Sequence, residues 1–322
     1  MGMDFKGTFL HLFWFVLFPF TCISYCLTPL THDAQTFIGV ERIADIYYPM
    51  PQGLDLAWEI KPIMNRFANW VLYKWGALTV GFDSMWFPVA VKALSLALVL
   101  VVCWYFSRKV SHWYTFPLVF TALTCIAPIN ILQAEYWAVL LSLVCIGLLV
   151  DDCWYHPIIA GFLFVVIGMF KGVTVLMVIP VLCAVYLLEH VDLTERFGGL
   201  YLGVMAGIGM FSVLSLTIWT HMVPDMLMSA QVAHVGFFSW WYVLTSALIW
   251  TAYYLPSTPL ALFALLPALF LLLRLRWRDA TAFAAMWLAP FAMVLIQGEF
   301  MIYHYFPMTI PAIVTLVVWE RG

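Results

Sequence analysis

Apolar runs follow one another along almost the whole chain, and few of them are interrupted by charge. A hydrocarbon core roughly 30 Å thick asks for about 20 apolar residues in a helix. Only helices or closed barrels satisfy their backbone where no water is present. Here the runs fall near 8–28, 85–107, 113–131, 133–150, 157–171, 172–188, 198–220, 256–273, 280–297 and 301–319. They predict an all-α polytopic membrane protein with about 10 transmembrane helices. Charge supports this reading: 10% of residues are charged and 65% are apolar, where a soluble domain carries about 25% charge. An ordinary globular enzyme and a disordered tail are thereby excluded. Fourteen basic residues against seventeen acidic ones leave no surplus for a nucleic-acid backbone.

The first run has little basic charge before it, Lys6 against Asp4, and no clear small-x-small cleavage site. It is expected to stay as a helix rather than be removed as a signal peptide. Seven cysteines stand in or beside apolar runs without a CxxC pair. They read as small hydrophobes, with no disulfide framework or zinc site. Positive residues set the orientation. With ten spans and a cytoplasmic N-terminus, Lys6, Arg108, Lys109, Arg196, Arg274, Arg276, Arg278 and Arg321 all fall inside, as the positive-inside rule asks. Residues 223–254 then form an external or re-entrant segment, rich in Trp and Tyr. An eleventh span there is the rival reading, and it fits the basic residues less well. The expected location is a cell inner or plasma membrane.

One segment departs from the apolar pattern. Residues 30–84 carry ten of the thirty-one charges and form a built external loop. Phe37, Val40, Ile43, Ala44 and Tyr47 recur at helical spacing, until Pro51-Gln52-Gly53 interrupts them. A second helix is expected from Pro62, because a missing N–H costs nothing in a first turn. Its apolar face holds Ile63, Phe67, Trp70, Val71 and Leu78, and its polar face Asn65, Arg66, Asn69 and Lys74. Two amphipathic juxtamembrane helices follow from that pattern.

Four short elements then occur in a recognisable order. Asp33 follows the first span and leads, through an amphipathic stretch, to Glu59-Ile60-Lys61-Pro62. Gln133-Ala134-Glu135 opens an apolar helix, and Gly168-Met169-Phe170-Lys171-Gly172 closes one short span before the next. His304-Tyr305-Phe306-Pro307 stands near the last span. This order resembles the GT-C glycosyltransferases that use a polyprenyl-phosphate sugar, in particular the protein O-mannosyltransferase and aminoarabinose-transferase type. The resemblance covers residues 1–319 and implies a single GT-C-like transmembrane domain over 1–322.

It also implies inverting transfer of a sugar from a polyprenyl-phosphate donor to an acceptor hydroxyl on the non-cytoplasmic face. The acceptor is a glycan, a lipid or a protein. Asp33 is then the candidate general base, since the hydroxyl must lose a proton as it attacks. Lys61, Arg66, Lys171 and His304 are candidates for steadying the departing lipid phosphate. Glu59, Glu135 and Tyr305 complete the expected substrate-binding set. No cofactor is implied, and a divalent cation is not indicated by any ligand spacing.

Each of these residues also has a plain structural reading. Lys171 is a lysine that snorkels from a span end, His304 an interfacial histidine, Arg66 a headgroup contact and Glu135 a solvated acid. Lys92 lies within an apolar run, where a charge is costly, and an acidic or carbonyl partner is expected for it. Asp151-Asp152 reads as a solvated turn rather than a metal pair. His221 and His234 lack ligand spacing. Gly168, Gly172, Gly198 and Gly199 read as packing or turn residues. A transporter or flippase for a lipid-linked sugar is the alternative function. It fits less well because the candidate charges gather at one face rather than at the midplane.

Overall fold

The computed structural model describes residues 5–28, 63–81, 84–110, 112–130, 133–190, 193–217, 240–254, 259–274, 276–297 and 302–321. Among these the chain is helical, with no strand. Helix α1 runs through Phe5–Leu12, a π-helical turn at Phe13–Leu17, and Phe18–Leu27. There follow α2 (Ile63–Val80), α3 (Phe87–Lys109), α4 (Thr115–Asn130), α5 (Ala134–Val150) and α6 (His156–Phe170). A 3-10 turn, Gly172–Met177, leads into α7 (Val178–Glu189), and α8 spans Leu193–Thr217. Next come α9 (Trp240–Ile249), α10 (Pro259–Arg274) and α11 (Trp277–Gln297). A second 3-10 turn, Ile302–Met308, opens α12 (Thr309–Arg321).

All ten expected apolar runs are therefore helical over most of their length. Five of the helical stretches are long and apolar enough to cross a membrane: Lys6–Leu27, α3, Gly172–Glu189, α8 and α11. The other apolar helices are shorter, so on length the expected count of about ten is not reached among the described residues. The coarser expectation stands: this is an all-α membrane protein. Its surface agrees, since Phe15, Leu78, Leu216 and Leu273 are exposed while Ser95, Glu135, Ser142 and His304 are buried. A water-soluble fold would reverse that arrangement.

Helix α5 is the centre of the bundle. Thirteen of its seventeen residues are buried, as expected of a helix that is apolar on every side. It packs against α3, α6, α7 and the Ile302–Met308 turn. Hydroxyls tie it to its neighbours. The Tyr25 hydroxyl of α1 lies 2.8 Å from Ser95 Oγ of α3. Ser95 Oγ lies 2.6 Å from the Tyr136 hydroxyl of α5. One serine thus joins three helices, and burial of these polar groups is offset by their mutual bonding.

Glycine brings α6 and α8 into backbone contact. Gly199, Gly203 and Gly207 are four residues apart and share one face of α8. A Cβ at Gly203 would collide with the Ile158 carbonyl, and one at Gly161 with the Leu200 carbonyl. Gly199 closes on Pro157 and Gly207 on Val165. Gly198 and Gly172, by contrast, face open space.

Helix α2 has both expected faces. Phe67, Val71 and Leu78 are exposed, and Asn65 and Asn69 are buried in the protein. Gly76 meets Phe87 and Val91 of α3, so the two helices form a hairpin. Met64 and Ala68 join a cluster with Ala134, Val166, Met169 and Phe170. The first turns of α2 thus lie at the end of the bundle where α5 begins.

Candidate functional site

Four polar side chains from four helix ends meet at the start of α5. Glu135 lies in the first turn of α5, where the helix N-terminus favours negative charge. Lys171 is the residue that ends α6, where a cation is favoured. Its backbone is extended, and the 3-10 turn after it is held by Thr174, whose N–H donates to the Lys171 carbonyl at 2.8 Å. The Thr174 hydroxyl lies 2.6 Å from the same carbonyl. Gln297 is the last residue of α11, and His304 stands in the turn before α12.

The contacts are direct. Lys171 Nζ donates to Glu135 Oε1 at 3.1 Å and to Gln297 Oε1 at 2.7 Å. His304 Nε2 stands 3.9 Å from Glu135 Oε1. Glu135 and His304 are each 1% exposed, while 30% of the Lys171 side chain is exposed, so the lysine forms the mouth of the group. Phe306 stacks on Tyr136, with ring centroids 6.1 Å apart, and Trp137 stacks on Phe170 at 6.2 Å. These ring pairs fix the backbones on either side of Glu135 and Lys171.

Three expected site residues, Glu135, Lys171 and His304, are therefore brought together. The Tyr305 hydroxyl bonds a different element. It donates to the Ser246 carbonyl at 3.0 Å and lies 3.0 Å from Ser246 Oγ, tying the turn to α9. Asp33, Glu59 and Lys61 lie outside the described residues. So does the side chain of Arg66, whose backbone sits in the first turns of α2. Glu135 is not a solvated acid, as its plain structural reading would have it: it is buried and paired with Lys171.

Lys92 also departs from expectation. It is buried within α3, and its Nζ meets no hydrogen-bond acceptor among the described residues. The acidic or carbonyl partner expected for it is absent there. Gln297, in turn, went unmarked in the sequence. Its one signal is a polar side chain closing an apolar helix, the position that Lys171 occupies on α6.

A second polar group stands at the opposite end of α5, about 25 Å away at 1.5 Å per residue. Asp151 accepts from Lys109 and lies 3.3 Å from His156 Nδ1. Arg196 donates to the carbonyls of Leu149 and Asp151, and to Asp152 Oδ1 at 2.6 Å. It thereby satisfies carbonyls that the end of a helix leaves open. The hydrogen bond from Lys109, with that lysine's charge, holds the Asp151 carboxyl below its ordinary value. Asp151 and Asp152 face different cations. Among the described residues, no three or more His, Cys, Asp or Glu side chains gather as a metal site.

The first end holds hydrogen-bonding groups of both kinds. A buried carboxylate accepts, a partly exposed ammonium donates, and an amide presents both functions. No family model, curated protein or solved structure matches the chain.

Proposed function

We propose that the chain is a membrane glycosyltransferase that moves a sugar from a polyprenyl-phosphate donor to an acceptor hydroxyl. The observation that supports this most is the meeting of Glu135, Lys171 and His304. These residues belong to three separate elements of the GT-C resemblance, far apart in sequence, and were expected at one face of the membrane. The reading counts the five shorter apolar helices as crossings too, giving ten, with this group facing the non-cytoplasmic side. The anomeric carbon of the sugar forms a bond to the acceptor oxygen as its bond to the phosphate oxygen breaks, with inversion, and the polyprenyl phosphate leaves. In this reading Asp33 takes the acceptor proton, and Lys61 and Arg66 hold the phosphate. Lys171 takes a different part from the one first expected: its charge is balanced by Glu135, so it organises the site rather than meeting the phosphate alone.

Lys92 favours one other reading, because a buried lysine that meets no acceptor among the described residues is also found along transport pathways. That reading is a transporter or flippase for the lipid-linked sugar. Purified protein in liposomes, given a polyprenyl-phosphate sugar and candidate acceptors, separates the two. Wild type is expected to transfer the sugar, and Asp33→Asn to lower the rate by at least about 100-fold, the typical contribution of a general base. Transfer unchanged by Asp33→Asn would remove the base assignment. Lipid movement without transfer would establish the alternative.

A further inference from the structure

We infer that the Lys171–Gln297 pair is a recognition site for uncharged sugar hydroxyls, with the Gln297 amide nitrogen as its principal donor. The inference rests on the glycosyltransferase reading for its biological setting, and on the geometry below for its chemistry. Lysine only donates, so the atom of Gln297 that lies 2.7 Å from Lys171 Nζ must be the amide oxygen. That contact fixes the amide's orientation, which is otherwise a matter of assignment. The two N–H groups of Nε2 then point away from the lysine. They meet no acceptor among the described residues, although Gln297 is only 6% exposed. A buried amide donor left without an acceptor is costly, and a ligand oxygen would satisfy it.

Lys171 contributes in the same direction. Its ammonium has three donors, two of which serve Glu135 and Gln297. The remaining N–H lies on a side chain that is partly exposed. Two donor groups thus stand next to each other, a partly exposed ammonium at the mouth and a buried amide nitrogen beneath it.

Charge selects the ligand. The anion balancing Lys171 is already built in, as the buried Glu135 carboxylate at 3.1 Å. A phosphate placed on Lys171 would stand beside a carboxylate of the same sign, in surroundings that screen poorly. A hydroxyl brings no charge. It accepts from Nε2 or Nζ, and its own proton is available to a carboxylate oxygen. The vicinal hydroxyls of a pyranose suit a site in which donors and an acceptor lie side by side. Those hydroxyls belong either to the transferred sugar or to a carbohydrate acceptor.

Binding to the purified protein in nanodiscs tests this without requiring turnover. The probes are methyl glycosides of several hexoses and pentoses, with inorganic phosphate as competitor, followed by saturation-transfer NMR. At least one glycoside is expected to bind saturably, and phosphate at equal concentration to leave it bound. Gln297→Met removes both functions of the amide. Gln297→Glu keeps an oxygen for Lys171 but loses the donors. Both are expected to weaken the glycoside about tenfold, the scale of one hydrogen bond.

Several results would overturn the inference. They are full binding by Gln297→Glu, which would mean that the side chain only holds Lys171; displacement of glycoside by phosphate; or no saturable binding by any glycoside to wild type. The last two need no variant, so misfolding of a substituted chain does not protect the idea. Adding a polyprenyl-phosphate sugar separates the sources: displacement of the glycoside assigns the site to the donor's sugar, and simultaneous binding assigns it to the acceptor. Saturable binding by a chain that performs no transfer would preserve this inference while removing the proposed function.

Discussion

Glu135 lies within an apolar helix and still carries a partner, Lys171, at 3.1 Å. Removing Lys171 leaves His304, at 3.9 Å, as the remaining neighbour of the buried carboxylate, and breaking a buried pair costs up to about 3–5 kcal/mol. Lys171→Met is therefore expected to lower thermal stability in detergent by an amount of that order. Adding Glu135→Gln should recover most of the loss, because no carboxylate then remains. Equal melting temperatures for the single and double variants would show that the pair is not coupled. At this scale the sequence was informative where ionisable residues are scarce: Glu135, Lys171 and His304 stood out against apolar runs, and they meet. Gln297 did not stand out, because an uncharged amide at the end of a helix is unremarkable until a lysine is found against its oxygen. The partner expected for Lys92 was a general rule applied to one residue, and the described structure supplies none.

Between α6 and α8 the contact is backbone against backbone, so glycine positions there are not interchangeable. Gly203→Val would drive a branched side chain into the Ile158 carbonyl. Its cost should exceed the roughly 1–3 kcal/mol of ordinary overpacking, since the main chain of α6 itself stands in the way. Gly198→Ala meets open space and is expected to be neutral, or stabilising by about 0.5–1 kcal/mol from reduced chain entropy. Melting curves of the two variants check this; a Gly203→Val protein that melts with wild type would rule out the close crossing. Helix positions were legible because each apolar run is bounded by a charge, a proline or a glycine. Whether a run is long enough to cross was less legible. Helices α5 and α6 have 17 and 15 residues, and their neighbours, rather than their length, decide how deep they sit. For α2 the periodicity was clear, yet only packing shows that its amides face the protein.

Across the molecule, polar groups collect at both ends of α5 and at the hydroxyl junction of Tyr25, Ser95 and Tyr136. The Asp151 end should respond to acid. Asp151 has a depressed carboxyl, held down first by the hydrogen bond from Lys109. Its stabilising contribution is therefore present above the ordinary carboxyl value of about 3.9 and is lost as pH falls through the lower folded value. The difference in melting temperature between wild type and Asp151→Asn should be present at pH 7 and shrink below about pH 4. A difference that is absent at pH 7 would remove the claim that Lys109 and Asp151 act as a stabilising pair. Positive-inside counting placed Lys109 and Arg196 together, and they share Asp151 and its neighbours. What the sequence did not disclose was how closely α5 binds that end, because carbonyl partners leave no trace in residue identity.

Helix α5 is gripped at both tips, by Lys171 on Glu135 and by Arg196 on the carbonyls of Leu149 and Asp151. Sliding it by one residue, about 1.5 Å, would break both grips at once. Axial shifts of about 1–2 Å are a common way for helices to transmit a change of state, and here both grips oppose one. The two grips set the axial position of α5 among its neighbours.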